Sequence, residues 1–255
     1  MNVSVAMAVY NGEKYLRDQM DSIICQLTED DELIVSCNPS DDRSLDVLTE
    51  YENRYSFVHV FRFEKKGIIA NFENAVKKCR KEIIFLADQD DVWMENKVSS
   101  IKEVFEKEQA LLVMHNCRYT DAHLHPSDKD LFSVRNVHPN RFYNWIKNGY
   151  QGSCMAFRKE LKELILPFPK NVAMHDQWIG ILAEKAGNVI MMPRILMYYR
   201  RHDEAISGNR LPLATKAKYM HVLEKEYIQR LRERKDVVQS LHEQFPKNLS
   251  ERSGK

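Results

Sequence analysis

The sequence is short of several things, and each shortage removes a class of answer. Five cysteines stand far apart at positions 25, 37, 79, 117 and 154, and none belongs to a CxxC pair. That gives no support to a disulfide framework or a zinc knuckle and fits a reducing compartment. Eight glycines and eight prolines in 255 residues are too few for a collagen-like or linker-rich chain. The formal net charge is +1, whereas a nucleic-acid polymer calls for a basic surplus. No apolar run approaches the ~20 residues that cross a bilayer. The opening MNVSVAMAVYN has neither the charged start nor the apolar segment of a signal peptide. The expectation is a cytoplasmic protein, with peripheral contact to the inner face of a membrane left open. G-x-G-x-x-G and G-x-x-x-x-G-K-[ST] are both missing, so neither a Rossmann dinucleotide site nor a P-loop is indicated.

What is present is an ordinary globular composition, 44% hydrophobic and 29% charged, enough at this length for one large core. Short β-branched runs alternate with amphipathic stretches. Val3–Val9, Glu32–Cys37, Val58–Phe61 and Ile83–Ala87 read as strands. Glu13–Cys25, Ser44–Tyr55, Asn71–Cys79 and Asn96–Phe105 carry helical spacing. Asp41 and Asp42 are cap candidates for the second helix. This alternation predicts a mostly parallel sheet flanked by helices, with ligands in the crevice beyond the carboxyl ends of the strands. Further on, Leu111–Asn116, Ser153–Phe157, Val189–Met192 and Ile195–Tyr199 read as strands. Arg141–Lys147 and Asp176–Lys185 read as helices, and His123–Asn140, which includes His138, as a polar loop. Leu213–Phe245 reads as one long amphipathic helix of mixed charge. We therefore expect a domain over residues 1–210 and a helical extension over 211–255.

Chemistry gathers at the predicted strand ends. FLADQDDVWM, residues 85–94, places Asp88, Asp90 and Asp91 directly after an apolar run. Like charges so close raise the cost of ionising one another, so solvent, a helix N-terminus or a cation must offset them. Asp88 and Asp90 can grip one hard cation, Mg2+ or Mn2+, with open positions for phosphates. The plain alternative is a solvated acidic turn, with Asp91 capping the helix near Asn96. VYNGE, residues 9–13, opens a helix whose N–H groups can face an anion, or it is simply a turn. In NVAMHDQWIG, Asp176 is by local pattern an N-cap, and otherwise a general base. In YYRRHDEAISG, Arg200 and Arg201 can clamp a diphosphate and His202 can ligate a metal, or the run is a basic surface loop. Trp93 and Trp178 read as core. Tyr143 and Trp145 read as packing against the sheet, with stacking on a sugar as the alternative.

Taken in order, SVAMAVYNGEKYL, ELIVS, KKGIIANFENAV and IIFLADQDDVWMENKV resemble the inverting family 2 glycosyltransferases of A-type fold. NGYQGSCMAF, VAMHDQW and YYRRH are similar to the rhamnosyltransferase-like branch that builds bacterial surface polysaccharides. The resemblance covers roughly residues 2–210. It implies that Asp88 and Asp90 match the DxD motif, with Asp90 the direct metal contact and His202 completing the metal or diphosphate site. It implies that Val9, Tyr10, Asn11, Glu13, Asn38 and Asn71 line the nucleotide, with Asp88 and Arg200 beside the diphosphate. It also implies that Asp176 is the general base, against the local cap reading. The cofactor would be Mn2+ or Mg2+ and the donor a UDP-, dTDP- or GDP-linked hexose or deoxyhexose, rhamnose among them. The acceptor would be a growing cell-surface polysaccharide or a lipid-linked oligosaccharide.

The chain departs from the family in two places. Cys37-Asn38-Pro39-Ser40 stands where the family has Asp-Asp-Gly-Ser, so Asn38 offers hydrogen bonds but no carboxylate. Ala205 stands where this branch often has asparagine. These departures leave open a second reading, a catalytically weak subunit acting as scaffold or partner. A nucleotidyltransferase would carry a glycine-rich basic loop after its first strand, and AVYNGEKY lacks one. For the segment from Leu213, packing on the domain, homodimerisation and docking on an anionic membrane are the open expectations.

Overall fold

The computed structural model describes residues 1–137, 141–202 and 213–247. The readings of His138 and Ala205 lie outside these residues. Strand β1 (Val3–Val9), helix α1 (Glu13–Ile24), β2 (Glu32–Cys37), α2 (Ser44–Arg54), β3 (Val58–Arg62), α3 (Ile68–Lys78) and β4 (Ile83–Ala87) follow the expected alternation. Then come β5 (Val92–Trp93), α4 (Lys97–Lys107), β6 (Ala110–Thr120), β7 (Pro126–Asp130), α5 (Leu131–Arg135) and α6 (Arg141–Lys147). β8 (Met155–Arg158), α7 (Lys162–Ile165), α8 (His175–Ala186), β9 (Asn188–Arg200), α9 (Leu213–Glu233) and α10 (Lys235–Gln244) complete the described elements.

One sheet runs in the order β3-β2-β1-β4-β8-β6-β9-β5, with β7 beside β6. β3, β2, β1 and β4 are parallel. Beyond them β8 is antiparallel to both its neighbours, while β9 is parallel to β6. β1 and β4 are buried along their whole length, as central strands covered on both faces must be. α1 lays Tyr15, Leu16, Met20, Ile23 and Ile24 on that core, the stripe its spacing predicts. The carboxyl ends of β1, β2 and β4 share one edge, and the loops that follow them form the cleft.

The sequence reading omits the short elements β5 and α7, and it differs from the structure in three larger ways. Residues 123–137 contain β7 and α5 rather than loop alone. β7, PSDKD, has no apolar alternation and is largely exposed, so only its backbone pairing with β6 defines it. The two short strands expected after residue 188 are one strand, β9. Its register against β6 passes from His115–Met192 to Asn116–Ile195, so Pro193 and Arg194 bulge out of the ladder, where a proline has no N–H to contribute. The C-terminal helical pattern breaks at Arg234, which has φ −121° and ψ 33°, giving α9 and α10.

Both C-terminal helices pack on the sheet domain. Arg230 donates to Leu164 O at 2.7 Å and Pro167 O at 2.6 Å. Asn188 N donates to Phe245 O at 2.9 Å. Leu223, Tyr227 and Leu241 are buried, and Trp145 meets Tyr227 edge-on at 5.0 Å. Trp145 thus packs on the C-terminal helix, while the Tyr143 hydroxyl donates to Arg135 O. Trp93 and Trp178 are core, as expected.

α8 is the most deeply buried helix of the described residues, and Gly180 shows why its sequence is constrained. A Cβ at Gly180 would stand 2.2 Å from the ring of Tyr150. That ring is fully buried and tied by its hydroxyl to Glu184 at 2.6 Å. Alanine would gain about 1 kcal/mol of helix propensity, but overpacking against a fixed ring costs about 1–3 kcal/mol. We expect Gly180→Ala to lower stability in urea denaturation; an unchanged midpoint would mean that Tyr150 can move aside. Two buried histidines set a pH dependence. Burial holds His115 well below 6.5 and His175 below it, so below that pH the unfolded chain takes up protons that the folded one refuses. Their contribution to stability should therefore fall as pH drops through about 6.5, opposite in sign to that of the carboxyls of Asp88 and Asp91, which burial raises. His175→Phe, which keeps the ring stacked on Phe72 at 4.2 Å, should lose less between about pH 7.5 and pH 5.5. An identical loss in both proteins would exclude His175 as a contributor.

Candidate functional site

The loop after β1 is built by hydrogen bonds to its neighbours. Asn11 takes a left-handed conformation, φ 48°, which asparagine tolerates. Its N–H donates to Ser40 Oγ at 3.1 Å and its Oδ1 accepts from Asp41 N at 2.9 Å. Tyr10 is 47% exposed, leaving its ring free at the cleft rim. The side chain of Gln89, between the motif aspartates, accepts from Tyr10 N at 2.7 Å and donates to Tyr10 O at 2.9 Å. A Cβ on Gly12 would stand 2.6 Å from Gln89 Oε1, so glycine is what lets the two loops close together. Glu13 accepts from Arg43 N at 2.9 Å and donates its own N–H to Asp42 Oδ2 at 2.9 Å. Asp42 also accepts from Ser44 N at 3.0 Å, although Arg43 occupies the N-cap position of α2.

Asn38 is buried, and its amide donates to Phe63 O at 2.6 Å and Lys65 O at 3.1 Å. Asn71, in the first turn of α3, donates to Val9 O at 3.1 Å, and its Oδ1 is buried without a partner. Val9, Tyr10, Asn11, Asn38 and Asn71 therefore converge at the ends of β1 and β2.

The acidic corner lies beside them, after β4. Burial first, and then the charge of Asp90, push the Asp88 carboxyl up to about 7; Ser153 partly opposes this and Asp176 adds to it. Asp91 is completely buried and is also pushed well up, by burial and then by Asp90 and Asp88. Asp91 does not cap α4, whose N-cap is Asn96. Its Oδ1 accepts from Arg200 N at 3.2 Å and its Oδ2 is buried without a partner. Lys97, the first residue of α4, is also completely buried. It donates to Ser153 O at 2.8 Å and lies 3.9 Å over the ring of Trp93. Burial brings its ammonium down to about 8, against the pull of Cys154 and Asp91.

The end of β9 closes this corner. His202 Nε2 meets Asp90 Oδ2 at 2.9 Å, and the His202 ring lies 4.7 Å from that of Tyr15. Arg200 is 4% exposed and turned inward. It donates to Asp90 O at 2.9 Å, Ala122 O at 2.9 Å and Asp18 Oδ2 at 2.8 Å. Those contacts make Arg200 a brace for the acidic loop rather than a free diphosphate clamp. Arg201 points to the other side, 5.6 Å over Tyr119.

Asp176 sits in the first turn of α8, but Met174 is the N-cap, so the local cap reading does not hold. Its Cβ would be 3.6 Å from a Cβ at Gly152, next to Ser153 and the acidic corner. Its Oδ1 accepts from Gln177 N at 2.6 Å and from Asn148 Nδ2 at 3.1 Å. Gln89, Lys97, Ser153 and Asn148 were not singled out from sequence. Only the direct adjacency of Gln89 to both aspartates was a signal; the others arrive through the fold.

The corner was tested for a divalent ion. Cis ligands on an octahedral ion at about 2.1 Å lie about 3.0 Å apart, and Asp90 Oδ2 and His202 Nε2 are 2.9 Å apart. A carboxylate oxygen suits Mn2+ or Mg2+, whereas an imidazole nitrogen is a softer ligand that favours Mn2+ over Mg2+. Among the described residues no group of three or more His, Cys, Asp or Glu side chains is placed to hold a metal. The rest of the coordination sphere would have to come from ligand and water. The pair fits such an ion. Among the described residues, no helix is long and apolar enough to cross a membrane.

Several known proteins resemble the chain in sequence or in fold. The putative teichuronic acid biosynthesis glycosyltransferase TuaG of Bacillus subtilis is 23% identical over 229 residues, 86% of each chain. The dTDP-rhamnosyl transferase RfbG of Shigella flexneri is 24% identical over 230 residues, 84% of this chain and 76% of that one. An uncharacterized Mycobacterium tuberculosis protein is 26% identical over 211 residues, so that the chain spans only 60% of that relative's length. Staphylococcus aureus TarS residues 1–349 in complex with UDP-GlcNAc superposes with TM-score 0.71 at 16% identity, covering 89% of this chain and 67% of that one. The mannosyltransferase PcManGT of Pyrobaculum calidifontis, in complex with GDP-Man and Mn2+, gives TM-score 0.59 at 15% identity, with 100% and 76% covered. These likenesses show a shared glycosyltransferase A-type fold. The family model described as Glycosyl transferase family 2 matches residues 4–165, and the chain belongs to that family.

Proposed function

We propose that this chain is an inverting, divalent-metal-dependent glycosyltransferase acting in polysaccharide biosynthesis. It takes a hexose or deoxyhexose from a nucleoside-diphosphate sugar and places it on a hydroxyl of a cell-surface polysaccharide or lipid-linked oligosaccharide. The observation that carries this reading is the Asp90–His202 pair, 2.9 Å apart, with Asp176 of α8 near enough to Asp88 to raise its carboxyl. The names of TuaG and RfbG support the polysaccharide setting and include rhamnose among the sugars. The complexes of TarS with UDP-GlcNAc and of PcManGT with GDP-Man and Mn2+ support a nucleotide-sugar donor, the latter with the metal.

The roles divide as follows. Val9, Tyr10, Asn11, Glu13, Asn38 and Asn71 form the nucleotide side of the cleft, and Asp88 faces the diphosphate. Asp90 and His202 would hold the ion, which when bound stabilises the negative charge gathering on the departing nucleoside diphosphate. Asp176 takes the proton from the acceptor hydroxyl as that oxygen attacks the anomeric carbon on the face opposite the diphosphate. Configuration inverts, as in other single-displacement sugar chemistry. Arg200 keeps the acidic loop against β9 while this happens.

Calorimetry with Mn2+ and a panel of UDP-, dTDP- and GDP-sugars should show heat only with the metal and one donor class. Silence across the panel would favour the scaffold reading. Asp90→Ala should abolish metal-dependent donor binding, and retained affinity would remove Asp90 from the site. Asp176→Asn should keep donor affinity and lower kcat by about 10²–10⁴-fold. Undiminished turnover by that variant would reject Asp176 as the base.

A further inference from the structure

We infer that Asn148 is a positioning residue for Asp176: it fixes one carboxylate oxygen so that the other meets the acceptor hydroxyl. The inference rests on the proposed role of Asp176 and deepens it.

Asp176 Oδ1 receives two hydrogen bonds, from Gln177 N at 2.6 Å and from Asn148 Nδ2 at 3.1 Å. Oδ2 makes no hydrogen bond among the described residues, yet it is not among the fully buried unpartnered atoms. The two oxygens are therefore unlike: one is occupied by donors, and the other has none among the described residues and is not fully enclosed, in a side chain that is otherwise buried. A carboxylate free to rotate would offer either oxygen in many orientations, whereas one pinned at Oδ1 offers Oδ2 in one. Since a misplacement of about 1 Å at a reacting group can cost about 10²-fold in rate, that pinning matters.

Asn148 is itself held rigidly. It takes φ +37°, a conformation asparagine tolerates and β-branched or bulky residues do not. Its N–H donates to Asn144 O at 3.1 Å, and its Oδ1 accepts from Tyr150 N at 3.2 Å. The second bond fixes the amide orientation, with NH2 toward Asp176. The turn is bolted to α8 at further points. Gln177 Nε2 donates to Asn144 O at 2.8 Å, and Glu184 Oε1 accepts from Asn144 Nδ2 and from the Tyr150 hydroxyl, each at 2.6 Å. Asn148 and Asp176 thus belong to one rigid unit although 28 residues separate them.

Two substitutions separate the hydrogen bond from the backbone. Asn148→Gly accepts φ +37° without strain but has no donor. Asn148→Asp keeps the acceptor for Tyr150 N and the tolerance of that conformation, but it places a carboxylate where the donor was. Steady-state kinetics, donor calorimetry in Mn2+ and thermal melting would be measured for both, with wild type and Asp176→Asn in parallel. We expect Asn148→Gly to melt within a few degrees of wild type, to bind donor unchanged, and to lose about 10–100-fold in kcat. Asn148→Asp should lose at least as much. A kcat for Asn148→Gly within about 2-fold of wild type would overturn the inference. So would a loss confined to donor affinity or acceptor KM, which would make Asn148 a pocket-shaping residue instead. Full turnover by Asp176→Asn would reject the base and both readings together. An inactive Asp176→Asn beside a fully active Asn148→Gly would reject the positioning role alone.

Discussion

Carboxylates crowded at the end of an apolar strand repel one another, and much of the cleft is arranged around that repulsion. Asp88 and Asp91 are pushed upward by burial and by their acidic neighbours. Unit charges about 4 Å apart exchange about 4 kcal/mol at an effective dielectric near 20, so the corner needs positive charge close by. Two cations are built in. The Lys97 ammonium, fully buried, stays within the influence of Asp91 and Asp88. The Arg200 guanidinium reaches Asp90 O and Asp18. Among the described residues, Asp91 Oδ2 is still left without a partner, and the Asp90 carboxylate meets His202 but neither cation. In the proposed reading a divalent ion would supply the positive charge that this corner lacks.

The same need explains why the sheet is closed by β9. The corner begins at residue 88, yet its brace and its imidazole come from residues 200 and 202, brought in by the parallel pairing of β9 with β6. Asp91 Oδ1 and Asp90 O both accept from Arg200, so the acidic loop and the end of β9 move as one body. On the other side, the Gln89 amide fastens that loop to Tyr10 by two hydrogen bonds. The loops after β1 and β4 are thus locked together by the protein's own hydrogen bonds, as preorganised electrostatic catalysis in the proposed reading would require.

How much of this could be read from the chain depends on whether the information is local. β1, β2 and β4 announce themselves through continuous apolar runs, and the aspartates through their place at the end of one. Asp176 is different: its neighbours in sequence make a cap the natural reading, the family resemblance implies a base instead, and in space it stands beside Gly152 and Asn148. β7 escapes because a strand of PSDKD is defined by backbone pairing and not by pattern. β9 reads as two pieces because Pro193 interrupts its ladder without ending it. Arg200 looks like a surface cation beside Arg201 and is instead buried, because alternate residues of a strand face opposite sides. Asn148 has no signature at all: an asparagine before a glycine says turn, and the turn's partner lies on a helix formed later in the chain.

The acids on the two sides of the cleft show the same chemistry resolved in opposite ways. Glu13 and Asp42 also stand at strand–helix junctions, but each is met by backbone N–H groups. Burial alone would raise the Asp42 carboxyl, yet the Ser44 hydroxyl and the Glu13 and Ser44 N–H groups outweigh it and hold it below the usual range. Asn38 continues that logic. Its amide donates to Phe63 O and Lys65 O, and a carboxylate there would confront two carbonyl oxygens with no proton to share. The replacement of the family's acid by asparagine is therefore matched by the segment it supports. Charge on the nucleotide side is neutralised by the backbone, while charge after β4 is left exposed to its own repulsion. In the proposed reading an anionic diphosphate would meet backbone N–H groups on the first side and would need a cation on the second, and that asymmetry is what puts the ion and the leaving group after β4.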